Sequence, residues 1–144
     1  MVYVRVEAEV RPTESLAKVR RAVLNVFDAD SVRVVESAGR RLLVAESRRM
    51  ESLLRLHDLL RRERILDAAR GHLLRGLGDG VLVFRLNKQV AYVGHLSFVD
   101  DDAESPMGPI VFVIESRRVR DIVDWLAPPT RLGRPVYERS MPRD

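Results

Sequence analysis

Val2, Val4, Val6, Ala8 and Val10 alternate with Tyr3, Arg5, Glu7, Glu9 and Arg11 at the start of the chain. A period of two puts one set on each side of an extended strand, so residues 2–11 predict a half-buried strand. Pro12 and Thr13 stop it. Thr13 then reads as the N-cap of a helix with Glu14 in its first turn, and Leu16, Val19, Val23 and Phe27 recur at helical spacing. VRVVE (32–36) and RLLVAE (41–46) predict two short strands joined by a hairpin turn at SAGR (37–40). A helical pattern follows from Met50 to Leu77, too long for one helix of average size, and we place a break near Arg62–Arg64. Gly76, Gly78, Asp79 and Gly80 end it. Strands are predicted at 81–86, 92–99 and 110–115, with an acidic, proline-bearing loop at 100–109. An amphipathic helix closes the pattern at 116–127, with Ser116 as its cap and Val119, Ile122, Val123 and Leu126 inward. Pro128 and Pro129 stop it.

The order is β-α-β-β-α(α)-β-β-β-α. Short links dominate, which predicts an α+β fold: a mainly antiparallel sheet with helices on one face. The domain should span residues 1–128, and 129–144 should be a flexible tail. One consequence bears on function: the second sheet face is left uncovered. Tyr3, Arg5 and Arg11 point that way from the first strand, and Arg33 and Arg85 are placed on the same face in neighbouring strands.

Composition narrows the picture. At 144 residues the chain can bury a core without staples, and it has no cysteine. Disulfides, thiolate metal sites and a cysteine nucleophile are therefore excluded, and a reducing cytoplasm is the expected location. No apolar run approaches ~18 residues, so no membrane span is expected. The first residues lack the uninterrupted apolar stretch of a signal peptide. The net charge is +4, and of the 25 basic residues all but Lys18 and Lys88 are arginine. That permits contact with a polyanion without demanding it, because solvated arginine coats give the same balance.

Candidate chemistry is sparse. If the second helical region continues past its break, Arg61, Arg64, His72 and Arg75 form a basic stripe able to track phosphates. Asn87, Lys88 and Gln89 interrupt an otherwise sheet-like stretch at FRLNKQVAYVGHLSFV (84–99). One reading is a turn, with Asn87 and Gln89 satisfying backbone groups. The other has Lys88 facing a phosphate. Both leave Lys88 exposed. His57, His72 and His95 have no metal-ligand spacing. DDDAE (100–104) lacks the pattern of a cation loop, and RGLGDG follows a helix, so it caps rather than cradles. No catalytic set, cofactor or metal is expected.

RILDAARGHLLRG (64–76), FRLNKQVAYVGHLSFVD (84–100) and ESPMGPI (104–110), with VEAEVRPTES (6–15) and VRRAVLNVF (19–27), together resemble a family of small archaeal proteins described as RNA-binding. The resemblance covers about residues 2–128. It implies an α+β fold similar to that of the large-subunit ribosomal protein that binds 5S ribosomal RNA, and a related branch tied to the archaeal RNA exosome. It implies no catalytic residues.

Two functions follow as expectations. The first is a non-catalytic RNA-binding protein whose phosphate contacts are Lys88, Arg85, Arg64, Arg75 and Arg5, dominated by salt-sensitive electrostatics. The second is a protein-interaction module, a homodimer or adaptor, that uses the uncovered face without nucleic acid.

Overall fold

The alternating start of the chain forms β1 (Tyr3–Val10), with its valines buried and its polar residues half-buried on the opposite side. The other strands are β2 (Ser31–Ser37), β3 (Arg40–Ser47), β4 (Val81–Asn87), β5 (Phe98–Val99) and β6 (Pro109–Glu115). The structure, a computed structural model, describes residues 1–101 and 107–143. Among these residues the six strands make one sheet in the order β2-β3-β1-β6-β4-β5, antiparallel at every pairing. The expectation of a solvated acidic loop falls mostly on residues 102–106, outside the described range.

One face is covered by α1 (Leu16–Val26), α2 (Leu54–Arg62), α3 (Leu66–Arg75) and α5 (Val119–Leu126), and the α+β class expected from the pattern is the one observed. Val4, Val6, Ala45, Leu82, Ile110 and Ile114 meet the apolar stripes of these helices in a single core. At its centre Phe112 stacks on Phe84 with ring centroids 4.7 Å apart and receives the edge of Phe27 at 5.8 Å. Such aromatic pairs add directional preference to area burial.

The break near Arg62–Arg64 has a definite geometry. Ile65 N–H donates to the Leu60 carbonyl at 3.3 Å and Arg64 N–H to Arg61 at 3.1 Å, a Schellman ending. Arg64 itself takes the left-handed conformation, φ 55°, where glycine is the usual occupant. At the far end of α3, Gly76 lies against β4. A Cβ there would come within 1.7 Å of the Val83 carbonyl oxygen, so only glycine lets the chain pass. The SAGR turn is a two-residue hairpin with Ala38 and Gly39 both at positive φ, the geometry that matches strand twist.

Four details differ from expectation. Ser15, rather than Thr13, caps α1, and its Oγ accepts from Lys18 N–H. The last helix begins at Val119, because Ser116 Oγ accepts from Arg118 N–H in the turn before it. Residues 92–99 are not a continuous strand: NKQ opens a short helix, α4 (Lys88–Tyr92), and only Phe98–Val99 pair with β4. His95 therefore lies in a loop. Beyond Pro129, β7 (Thr130–Arg131) and β8 (Arg134–Pro135) pair as a second hairpin, turning at Leu132 and Gly133. Glu138 is ion-paired to Arg61 at 2.6 Å, and Met141 packs against the core.

Candidate nucleic-acid interface

Lys88 was expected on the surface, and the structure corrects this. Its residue is 3% exposed. Nζ donates to the Glu9 carbonyl (2.7 Å), the Met107 carbonyl (2.6 Å) and both carboxylate oxygens of Glu14 (3.0 and 3.1 Å). A compact ammonium with three donors suits this set of acceptors, whereas a planar guanidinium does not. Burial pushes the Lys88 pKa below the ordinary lysine value, and Glu14 opposes that shift. Lys88 is thus an anchor that ties α4 to β1 and the start of α1. Asn87 is the N-cap, its Oδ1 accepting from Val90 N–H at 3.0 Å. Of the three polar residues, Gln89 is the exposed one.

The other expected contacts scatter. Arg5 and Arg85 do share the uncovered face, on β1 and β4 with β6 between them. Arg33 is on that face too, but on β2, two strands from β1. Four of the arginines on that face are held by acids. Arg5 pairs with Glu7, whose hydrogen bond raises the arginine's pKa. Arg33 pairs with Glu46, which also accepts from the Tyr3 hydroxyl. Arg40 and Arg11 both hold Glu9, at 2.8 and 3.1 Å, and Arg40 first keeps that carboxyl below its usual range. Arginine stems cover apolar surface while their heads stay wet, and Val44, in register between Glu7 and Arg33 on this face, is fully buried.

The predicted basic stripe does not exist, because the Schellman ending rotates α3 away from α2. Arg61 turns inward and donates to the Leu126 and Trp125 carbonyls at 2.9 and 3.0 Å, satisfying the end of α5. Arg75 and His72 converge on Asp100, at 3.1 and 2.8 Å, and Arg75 holds that carboxyl low. Arg64 is exposed and forms no ion pair among the described residues.

Two cations, Lys18 and Arg21, come together on one side of α1, and Arg20 is exposed elsewhere on the same helix. Lys18, Arg20 and Arg21 are exposed, and none of them forms an ion pair among the described residues. Lys18 Nζ stands 6.0 Å and the Arg21 guanidinium carbon 5.6 Å from the centre of the Tyr92 ring. This is cation–π range. Tyr92 is fixed at the end of α4 because Asn25 Nδ2 donates to the Ala91 and Tyr92 carbonyls at 2.9 and 3.1 Å. Between α1 and α4 lies a groove of about 380 Å3, lined by Glu14, Lys18, Val19, Ala22, Gln89 and Tyr92 among others. The sequence did carry a signal for this flank: residues 16–27 hold three cations and no acid. Tyr92 gave none, because it reads as part of a strand. Among the described residues no group of three or more acids and histidines could hold a metal, and no helix is long and apolar enough to cross a membrane.

Fold and site together define a basic α+β module with its helices on one side. The chain belongs to the family described as RNA binding, whose model matches residues 3–116. It is 54% identical over 142 residues to a UPF0201 protein of Aeropyrum pernix, covering 98% of this chain and 95% of that one. It is 48% identical to the UPF0201 protein of Metallosphaera sedula over the full length of both. The crystal structure of a UPF0201 protein from Methanococcus jannaschii superposes with a TM-score of 0.79 at 31% identity, covering 94% of this chain and 99% of that one.

Proposed function

We propose that this chain is a non-catalytic RNA-binding protein whose phosphate contacts are centred on α1 rather than on the uncovered sheet face. The observation that carries this is the exposed pair Lys18 and Arg21 on one side of α1, cations left without an acid among the described residues. An unpaired cation exchanges a water shell for a phosphate and releases a condensed counterion, whereas a paired one must first break its ion pair. The family's description supports the same reading. Arg64 serves as a peripheral contact. Binding is measured by fluorescence anisotropy with mixed single- and double-stranded RNA between about 50 and 200 mM salt. A steep fall of log affinity with log salt is expected, with the RNA recovered intact. A flat dependence, or no binding at the lowest salt, contradicts it.

One observation favours a second reading. Val83, Val111 and Val113 stay only half-buried on the face no helix covers, and a second copy packed there would finish their burial. Light scattering decides: a salt-insensitive dimer supports this reading, and a monomer at micromolar concentration rules it out.

A further inference from the structure

We infer that the groove between α1 and α4 takes one unpaired RNA base bearing an exocyclic amine, stacked on Tyr92. This rests on the RNA-binding reading and adds what that reading leaves open, a site that touches the base rather than the phosphate.

The groove's volume of about 380 Å3 is at the small end of ligand pockets, which run from roughly 300 to 1,000 Å3. It has room for one nucleoside and none for a duplex. Its walls divide the work. Tyr92 presents an aromatic ring, and unpaired bases stack on such rings in single-stranded recognition. Val19 and Ala22 give an apolar floor, both buried. Lys18 and Arg21, already over the ring, stand where the phosphates flanking a stacked base would run.

The polar wall sets the preference. A carboxylate offers about four acceptor sites. Glu14 fills three of them, with Arg11 N–H at 3.0 Å and two contacts from Lys88. The remaining acceptor position belongs to a side chain that lines the groove. The donors of Lys88 are already spent on its own partners. A carboxylate acceptor favours the exocyclic amine of adenine, cytosine or guanine, whereas the one ring N–H of uracil lies between two carbonyl oxygens that a carboxylate repels. Gln89, exposed at the rim, can meet either edge.

The position of Tyr92 is built in at both ends of its short helix. Lys88 pins the first residue of α4, and Asn25 holds the last carbonyls. The ring is therefore presented by a fixed element, which lowers the ordering cost of stacking.

The test uses short labelled oligoadenylate, oligocytidylate and oligouridylate with the full chain. Oligoadenylate and oligocytidylate should bind about fivefold more tightly than oligouridylate, the worth of one hydrogen bond. Tyr92→Leu should weaken the first two about tenfold and leave the salt dependence in place. Tyr92→Phe keeps the ring and should retain wild-type affinity. Gln89→Ala changes only an exposed side chain at the rim, so a loss of a few-fold for all three oligonucleotides supports the site without risk to folding, and no loss for any of them counts against it. Equal affinity for all three oligonucleotides, or a folded Tyr92→Leu protein that binds like wild type, overturns the base site while steep salt-dependent binding leaves the RNA reading standing. No binding to any oligonucleotide at low salt overturns both.

Discussion

The uncovered sheet face and the α1–α4 flank are both rich in cations, and they are built in opposite ways. On the sheet face Arg5, Arg33, Arg40 and Arg11 each hold a glutamate across or along the strands. On the flank Lys18 and Arg21 stand over an aromatic ring with no acid paired to them among the described residues. Counting arginines favours the sheet. Asking which cations are already neutralised favours the flank, because a cation held by a carboxylate has little field left for a phosphate. The two lysines repeat the lesson at closer range. Lys18 and Lys88 line the same groove, yet one is exposed and the other is spent on four internal contacts.

The largest expected effect breaks the flank at its anchor. Lys88→Met leaves the Glu14 carboxylate and two carbonyls without their donor, and should cost about 3 kcal/mol of stability by urea titration, in the range for stranding one partner of a buried pair. If the cost is under about 1 kcal/mol, α4 is not held as described. Next in size, Arg64→Gly should stabilise by about 1 kcal/mol, since glycine adopts the left-handed geometry without a Cβ penalty. The same variant should reduce RNA affinity only slightly, which separates a peripheral contact from the flank. On the sheet face, Arg5→Ala should change RNA affinity by less than about twofold, the scale of an exposed ion pair. A tenfold loss there would reverse the comparison. The smallest effect is in acid. Arg61 holds the Glu138 carboxyl below its ordinary range. A depressed folded pKa means the stabilisation is complete above the unfolded value and is lost as pH falls through the folded one. The segment around Glu138 should therefore loosen only below the usual glutamate range, visible as a lower amide protection factor at Val136, whose N–H donates to the Pro129 carbonyl, with the core unchanged.

Much of the fold was legible because it rests on periodicity. The alternation in β1, the apolar spacing of α1 and the two hairpin strands at 31–47 express burial on one face, and burial is written residue by residue. The break at Arg64 was legible from length alone, but its consequence was not. A Schellman turn redirects the next helix, so residues that share a stripe on a continuous helix part company. The site was read less well, for two reasons. Ion pairs such as Arg33–Glu46 and Arg75–Asp100 join residues far apart in sequence, so no local pattern shows which cations are spent. The NKQ interruption hid a short helix, because three polar residues between apolar runs fit a turn as well as an N-cap. Three cations and no acid in residues 16–27 are also there in the sequence, but the expected contacts did not include them.

The most direct test sets the two regions against each other. Lys18→Ala/Arg21→Ala and Arg5→Ala/Arg33→Ala proteins, both confirmed folded, are titrated with the same RNA across salt, and the log–log slopes are compared with wild type. Each lost phosphate contact lowers the slope by about 0.9. The flank variant should lose about two such units and the sheet variant close to none. An unchanged slope in the flank variant, with the loss appearing in the sheet variant, would contradict the account.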